Sequence, residues 1–132
     1  DQPKPTVLVV EDDEQMRAML ELMITRMGCK TLGVARATEA LRPIETGKAD
    51  LVLLDLQMPG VTGIDLLRTM KRRNLQTPTV VVSAYISSEA AQACAQLGVK
   101  GMVAKPFDQA RLVTEIQKIL RQAGYQFADE NG

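Results

Sequence analysis

The stretch Leu51-Val52-Leu53-Leu54-Asp55 decides the fold, because a short apolar run that closes on a carboxylate predicts a strand buried on both faces. A turn is indicated directly after it by Met58-Pro59-Gly60 and by Gly63. Strands buried on both faces belong to parallel sheets, which bind ligands at the carboxyl ends of their strands. We therefore expect Asp55 to lie in a ligand-binding crevice.

Four further apolar runs lie on either side of this stretch, at 7–10, 30–34, 80–82 and 102–104. Between and after the runs, apolar residues recur at helical spacing over 16–27, 37–44, 64–70, 90–97 and 112–120. An alternation of strands and helices predicts an α/β fold, with one parallel sheet and helices on both of its faces. The crossovers between strands are expected to be right-handed.

Residues that favour helix ends mark the boundaries of these helices. They are Gly28, Gly47 and Gly98 after the first, second and fourth helices, and Thr38, Ser87 and Asp108 before the second, fourth and fifth. Pro43 is discordant, because it falls inside the second helical pattern, where proline removes a hydrogen bond. The second helix is therefore predicted to be short, kinked or late in starting.

The length of 132 residues suits one domain, which we place at 6–121. Residues 1–5 are predicted to be a disordered or trimmed N-terminal segment and not a signal peptide, and residues 122–132 a frayed tail or linker. Sixteen basic and sixteen acidic residues cancel, so overall charge gives no case for direct nucleic-acid or membrane binding. No apolar stretch approaches the roughly 20 residues that span a bilayer.

The two cysteines, Cys29 and Cys94, lack the spacing of metal ligands, and the chain has no histidine. The sequence therefore does not predict a zinc site. Two cysteines also make no disulfide framework, which favours a reducing cytoplasm as the location.

Three acids follow the first strand, Glu11, Asp12 and Asp13. Capping of the next helix is one explanation for them. Beside Asp55, however, carboxylates without a cation would repel one another, and a hard divalent ion, Mg²⁺ or Mn²⁺, resolves this. We predict Asp12 and Asp55 as direct ligands, Glu11 as a ligand through water and Asp13 as a cap. Which of the three acids does which job stays open at this point.

Two more polar residues close apolar runs, Ser83 after the fourth and Lys105 after the fifth. A turn hydroxyl and a solvated lysine are the plain alternatives. Pro106 follows Lys105, and an X-Pro bond can be cis, so the turn is predicted to aim Lys105 back over the crevice. Asp50, in contrast, enters the strand that Asp55 leaves, about 16 Å away, and is predicted not to share the site.

A carboxylate nucleophile, a divalent cation, a hydroxyl and an ammonium around one space suit phosphoryl transfer. Asp55 would then form an acyl phosphate. The glycine-rich loops GxxxxGK[ST] and GxGxxG are both absent, so nucleotide binding is not supported and the phosphoryl donor should be small or protein-borne.

Over about Thr6 to Arg121 the chain resembles the receiver domain of two-component response regulators. The motifs that carry the resemblance are Glu11-Asp12, then Asp55 with Met58-Pro59 and Gly63, then Ser83-Ala84, and finally Lys105-Pro106-Phe107. The resemblance implies the flavodoxin-like (βα)5 doubly wound fold, with five parallel strands in the order 2-1-3-4-5.

The resemblance also implies a function. Asp55 would accept a phosphoryl group from the phosphohistidine of a histidine kinase or a histidine phosphotransfer protein, with Mg²⁺ present. Gln57 would supply a backbone carbonyl to the metal. Such a domain catalyses at most its own phosphorylation and slow self-dephosphorylation, so no dedicated enzyme is expected.

In the family, phosphorylation draws the strand-four hydroxyl, here Ser83, toward the phosphoryl group. An aromatic residue on strand five then turns inward, and the face of helix four, strand five and helix five changes its partners, which include an output domain or a second copy of the chain. This chain has Met102 at the aromatic position. Gln57 and Tyr85 flank the reaction path, and our hypothesis is that Tyr85 hinders attacking water.

Three alternatives compete with a phosphoacceptor domain. A haloacid dehalogenase-like phosphatase would carry an acid two residues after its nucleophile, where this chain has Gln57. A receiver-like module that is never phosphorylated commonly lacks the aspartate or the lysine, and this chain has both. A flavin-binding protein of similar fold is disfavoured, because no tryptophan and two tyrosines leave few stacking groups. The cognate kinase and the output are not indicated by the sequence.

Overall fold

The computed structural model of the chain describes residues 3–58 and 60–127. Five strands alternate with five helices through these residues. In chain order they are β1 (Thr6–Val10), α1 (Glu14–Arg26), β2 (Lys30–Val34), α2 (Ala37–Glu45), β3 (Leu51–Leu54), α3 (Gly63–Arg72), β4 (Thr79–Ser83), α4 (Ser88–Gln96), β5 (Gly101–Ala104) and α5 (Gln109–Gln122). No helix in the described part of the chain is long and apolar enough to cross a membrane.

The strands form one parallel sheet in the order β2-β1-β3-β4-β5, which confirms the predicted flavodoxin-like topology. Val10 is paired with Val34 of β2 and with Leu54 of β3, and Ser83 is paired with Ala104. All five strands therefore end along the same edge of the sheet. Residues that directly follow the strands are brought to that edge.

Side chains of successive strand residues point to opposite faces of the sheet, and each face is covered by helices. One apolar cluster joins Val7, Val9, Leu51 and Leu53 to α1 and α5, and the other joins Leu8, Val10, Val52 and Leu54 to α2, α3 and α4. All four residues of β3 are buried. The central strand that delivers Asp55 is thus held rigidly from both sides.

Most of the predicted helix ends are confirmed. Gly28, Gly47 and Gly98 all have positive φ directly beyond helix ends, and Ser87 and Asp108 accept backbone hydrogen bonds as N-caps of α4 and α5. Thr38 as an N-cap was wrong, because α2 already begins at Ala37, which puts Thr38 inside the first turn. The cap residue is Arg36, whose side chain makes no capping bond.

Pro43 lies inside α2, which has 9 residues, in line with the prediction of a short helix. The helix ends two residues later, and the Pro43 carbonyl accepts hydrogen bonds from the backbone of Lys48 and Ala49. The proline therefore lies in the last turn of a short helix, where its missing N–H leaves one backbone hydrogen bond of the helix unmade.

The predicted terminal segments are packed where the structure describes them. Pro5 is buried and its carbonyl accepts from Lys30 N at 2.9 Å. Beyond the end of α5, Tyr125 and Phe127 pack against the core cluster on the α1 and α5 side, and the Arg121 guanidinium lies 5.8 Å from the Phe127 ring centroid. This part of the expected tail is therefore held against the domain rather than frayed. Residues 1–2 and 128–132 lie outside the described residues.

Candidate phosphoacceptor site

Residues from four strands meet at the carboxyl edge of the sheet. Glu11 directly follows β1, Asp55 follows β3, Ser83 is the last residue of β4 and Lys105 follows β5. The parallel pairing of these strands, rather than any local sequence, places the four side chains together. The structure thus brings together the polar residues that the sequence placed after its apolar runs.

The Asp55 carboxylate lies at the centre of this group and is only 6% exposed. Its Oδ1 accepts hydrogen bonds from the Gln57 backbone N at 3.0 Å and from Ser83 Oγ at 3.0 Å. Its Oδ2 lies 3.4 Å from Lys105 Nζ. The two carboxylate oxygens therefore have different environments, since one has two donors and the other a single, longer contact with a cation.

Lys105 is turned into the crevice, and the Lys105–Pro106 peptide bond is cis. The ammonium lies 2.5 Å from Glu11 Oε1, and Glu11 is 2% exposed. Glu11 Oε2 accepts from the Asp13 backbone N at 3.2 Å. Both oxygens of Glu11 are thus engaged, which leaves Asp12 as the freer acid of the predicted pair.

Burial and the contacts between Glu11, Asp55 and Lys105 shift the pKa values of Glu11 and Lys105. Burial raises the pKa of Glu11 from its ordinary value of 4.5 to about 7, although the hydrogen bond from Lys105 opposes the change. Burial lowers the pKa of Lys105, but its contacts with Glu11 and Asp55 outweigh burial, and the pKa of the ammonium is raised. Near neutral pH the group therefore holds one firm cation and one acid that is close to gaining a proton.

The raised pKa of Glu11 predicts how the metal-free protein responds to pH. An acid whose pKa rises on folding favours the folded state most when it is protonated in both states, and this advantage disappears as pH rises through the folded value. In EDTA, the melting temperature of wild type relative to Glu11→Gln should therefore fall between pH 4.5 and about 7. Thermal melts of both proteins across this window measure it, and a constant difference would contradict the burial of a high-pKa acid.

A cation site is supported by the oxygens available here. Glu11, Asp12 and Asp55 each offer one carboxylate oxygen, and these three oxygens lie within 4.8 Å of one another. Two oxygens bound to one Mg²⁺ at about 2.1 Å lie about 3 Å apart when adjacent and about 4.2 Å apart when opposite. Small side-chain rotations therefore suffice for the acids to share an ion, and an all-oxygen donor set suits Mg²⁺ or Mn²⁺.

The other predicted site residues differ in their exposure. Gln57 is exposed and contributes its backbone N–H to Asp55. The Tyr85 side chain, two residues after Ser83, is 68% exposed, and Met102 on β5 is 37% exposed. Met102 is paired with Val81 and so projects from the α4 side of the sheet, away from α5.

Asp13 and Asp50, which were not predicted to bind the metal, lie at their predicted positions. Asp13 is the N-cap of α1 and accepts from the Gln15 backbone N at 3.2 Å. Asp50 accepts from the Thr6 backbone N at 2.7 Å, at the opposite end of the sheet from Asp55. Proximity in sequence to Glu11 or Asp55 is therefore not enough to place an acid in the site.

Gly63 is a site-positioning residue whose role the sequence did not reveal. A Cβ at this position would lie 2.6 Å from the Asp55 backbone O and 2.9 Å from Leu56 Cα. The start of α3 therefore packs directly on the backbone that presents Asp55. In sequence, Gly63 indicates a turn and belongs to the motifs of the resemblance, but the close approach depends on how α3 docks.

The Gly63 contact predicts that Gly63→Ala displaces the Asp55 backbone. We expect the variant to lose about 1–3 kcal/mol of unfolding free energy, since the methyl group overpacks against backbone that cannot move aside cheaply. Urea unfolding measures the loss. Gly60→Ala is a useful comparison, because nothing lies within 4 Å of a Cβ there and its penalty comes from positive φ alone. Gly63→Ala at full wild-type stability would contradict the contact.

Comparisons with known proteins agree with this geometry. The family model described as the response regulator receiver domain matches residues 7–117. The chain is 32% identical over 126 residues, or 96% of its length, to the uncharacterized transcriptional regulatory protein YkoG of Bacillus subtilis. It is 37% identical over 111 residues, or 81% of its length, to the sensory/regulatory protein RpfC of Xanthomonas campestris pv. campestris.

The fold is equally well matched among solved structures. A response regulator receiver protein from Pseudomonas putida superposes with a TM-score of 0.81 at 31% identity, covering 89% of this chain and 99% of that one. The curated relatives are longer, since the matched part spans 55% of YkoG and 15% of RpfC. The family match over 7–117 and the shared fold together establish that this chain belongs to the response regulator receiver domains.

Proposed function

We propose that the domain takes a phosphoryl group onto Asp55 in a Mg²⁺-dependent reaction and, in doing so, changes a partner-binding face. The observation that carries the proposal is the buried Asp55 carboxylate in contact with both Ser83 and Lys105, with Glu11 and Asp12 close enough to share a cation. The donor we propose is the phosphohistidine of a histidine kinase or histidine phosphotransfer protein.

In this reaction an Asp55 oxygen forms a bond to phosphorus while the bond from phosphorus to the donor's nitrogen breaks. Lys105 would neutralise charge on the transferring oxygens, and the Ser83 hydroxyl would exchange its bond to Asp55 for one to a phosphoryl oxygen. The Gln57 N–H holds Asp55 Oδ1 in place. None of these groups has to travel far, because each already contacts Asp55 or its neighbour Glu11.

Asp12, Asp55 and the Gln57 backbone carbonyl would hold the metal, with Glu11 acting through water. A bound Mg²⁺ would offset the repulsion between the carboxylate nucleophile and the incoming phosphoryl oxygens. Glu11 is suited to an indirect role, because both of its oxygens already accept hydrogen bonds, from Lys105 and from the Asp13 backbone.

The acceptor role is favoured over a phosphatase by Gln57, which occupies the position where an aspartyl phosphatase needs a general acid. Without an acid to protonate a leaving group, repeated turnover of stable phosphate esters is not expected. This is in line with a signalling domain rather than a dedicated enzyme.

The partner-binding face we propose consists of α4, β5 and α5, with Met102 as the residue that reports the state of the site. Helix α4 is packed lightly, since Cys94 is the single buried residue along its full length, all of which the structure describes. A lightly packed helix directly after Ser83 is a suitable element for a phosphorylation-driven shift. An output domain, a separate protein or a second copy of the chain would bind the altered face.

The proposal is tested by intact-mass measurement after incubation with acetyl phosphate in Mg²⁺ and, in parallel, in excess EDTA. We expect the mass of one phosphoryl group to be gained in Mg²⁺ and not in EDTA. Steady release of phosphate without any gain in mass would instead favour a phosphatase. No change under either condition would contradict the phosphoacceptor function.

Tyr85 is proposed to lengthen the lifetime of the acyl phosphate by hindering attacking water. The side chain follows Ser83 by two residues and is 68% exposed, so its removal should cost little stability. We expect Tyr85→Ala to shorten the half-life of phosphorylated Asp55 severalfold, measured as loss of the added mass after the donor is removed. Tyr85→Phe should keep the wild-type half-life, and an unchanged or longer half-life in Tyr85→Ala would rule the hypothesis out.

A further inference from the structure

Arg17 of α1 contacts the backbone of the acidic segment 11–13, and this contact has no role in the proposed phosphoryl transfer. Its Nη1 donates to the Glu11 backbone O at 2.9 Å, six residues earlier in the chain. The Glu11 N–H donates to Val34 O of the edge strand at 3.1 Å. Strand β2 ends at Val34, before it could supply the next backbone donor to Glu11, and the Arg17 guanidinium takes that place.

This contact bears on Asp12 because the peptide between Glu11 and Asp12 is planar. The direction of the Glu11 carbonyl therefore sets the direction in which the Asp12 Cα, and with it the Asp12 side chain, leaves the strand. Asp12 is exposed, and its carboxylate has no hydrogen-bond partner among the described residues. No side-chain hydrogen bond therefore helps to hold one of its oxygens within 4.8 Å of an oxygen of Glu11 and of Asp55, and the backbone direction is what places the side chain there.

The reach of Arg17 depends in turn on Gly33 of β2. A Cβ at position 33 would lie 3.2 Å from Arg17 Cδ and 2.5 Å from Glu21 Oε1. The backbone of Gly33 is outside the left-handed region, so the glycine is needed here for space and not for conformation. The side chains of Arg17 and Glu21, one turn apart on α1, therefore pack over Gly33 in the space that a larger residue would fill.

We infer that Arg17 is a positioning residue for the metal-binding acids, with Gly33 as the residue that gives it room, an inference that rests on the proposed function of Asp12 and Asp55 as metal ligands. Arg17 acts through the Glu11 carbonyl and aims the Asp12 carboxylate at the ion. Partners that orient metal ligands from outside typically change metal affinity by about 10–100-fold when they are removed.

The direction in which Arg17→Met changes the affinity for divalent ions distinguishes a positioning role from a purely electrostatic one. A cation near an acidic site repels a bound metal ion, so loss of charge alone predicts that Arg17→Met binds divalent ions more tightly. Loss of positioning predicts the reverse, a weakening of about tenfold. Gly33→Ala keeps the charge of Arg17 and crowds both Arg17 Cδ and Glu21 Oε1, so weaker binding there would point to position rather than charge. Arg17→Lys should lie between wild type and Arg17→Met.

The experiment is Mn²⁺ binding to the EDTA-stripped full chain, with free Mn²⁺ followed by electron paramagnetic resonance. The proteins compared are wild type, Arg17→Met, Arg17→Lys, Gly33→Ala and Arg26→Met, the last being an exposed cation in the final turn of the same helix. Metal-free circular dichroism melts identify the temperature at which all five are folded, and the titrations are made below it.

Weaker binding by Arg17→Met and Gly33→Ala, with Arg26→Met equal to wild type, would support the inference. Tighter or unchanged binding by Arg17→Met would overturn it and leave the proposed function standing, because wild type still binds. Wild type that binds no Mn²⁺ would overturn both. If Arg17→Met does not fold, Arg17→Lys decides, since an affinity equal to that of wild type there also overturns the inference.

Discussion

Asp55→Asn is expected to abolish phosphoryl uptake from acetyl phosphate. The amide keeps the size and one hydrogen-bond acceptor of the carboxylate, but it has no anionic oxygen to attack phosphorus. It also replaces a buried acceptor with a donor that faces either Ser83 or Lys105. The variant should therefore remain at its unmodified mass under conditions in which wild type is fully modified, as read by intact-mass spectrometry.

Asp50→Asn is the matched control for this prediction. Asp50 precedes β3, the strand that Asp55 follows, and its carboxylate accepts a hydrogen bond from the Thr6 backbone N. It lies at the opposite end of the sheet from Glu11, Asp55, Ser83 and Lys105. An asparagine there can keep the acceptor, so uptake should continue at the wild-type rate. If Asp55→Asn and wild type gained the same mass, another residue would be the acceptor and the proposed chemistry would be wrong.

Lys105→Met is expected to have two opposite effects. Phosphoryl uptake should slow sharply, because the cation beside Asp55 Oδ2 is lost. Affinity for Mg²⁺ should increase, because the variant loses an ammonium that repels the ion and neutralises the charge of Glu11. Time courses of mass gain and Mn²⁺ titrations measure the two effects separately.

Removal of Lys105 should also destabilise the metal-free domain near pH 8. Glu11 and Asp55 are both buried, and without the ammonium they have no compensating cation among the described residues. A loss of about 3 kcal/mol in unfolding free energy is expected, and saturating Mg²⁺ should restore most of it. Lys100→Met, at the entry to β5, is the control and should be close to neutral. Equal stability of Lys105→Met and wild type in EDTA would show that the ammonium does not hold the acids together.

The sheet and the four central site residues could be predicted because one physical pattern encodes both. Runs that are apolar at every position mark the strands, of which β3 and β4 are buried on both faces and the edge strand β5 only in part. Parallel pairing then carries whatever follows each run to one edge of the sheet. Asp55, Ser83 and Lys105 each follow such a run directly. Their mutual contacts therefore follow from the topology and not from long-range detail.

The features that could not be predicted depend on where elements stop and how they dock. Arg17 contacts the Glu11 carbonyl just beyond the end of β2 and passes close to Gly33, and neither contact has a local sequence signal. The N-cap of α2 could not be predicted for a similar reason. The helix already begins at Ala37, so Thr38 lies inside its first turn and Arg36 is the cap residue. Tyr125 and Phe127 do carry a signal, because aromatic residues in an otherwise polar segment favour packing against the domain over fraying.

The charge state of Glu11 is a further property that sequence alone could not supply. The acid follows β1 just as Asp55 follows β3, yet burial raises the pKa of Glu11 to about 7. The cause is its depth at the sheet edge, where it is 2% exposed. Metal affinity should accordingly depend on pH near neutrality, because an ion binds best to the ionised acid.

The phosphoacceptor role is tested most directly by locating the modified residue. After incubation with acetyl phosphate and Mg²⁺, borohydride reduces an acyl phosphate to an alcohol, and peptide mass spectrometry then identifies the reduced side chain. We predict that Asp55, and neither Glu11 nor Asp12, is converted to homoserine. Conversion at Asp12 or Glu11, or a borohydride-resistant phosphate on Ser83 with Asp55 unchanged, would contradict the assignment of Asp55 as the acceptor.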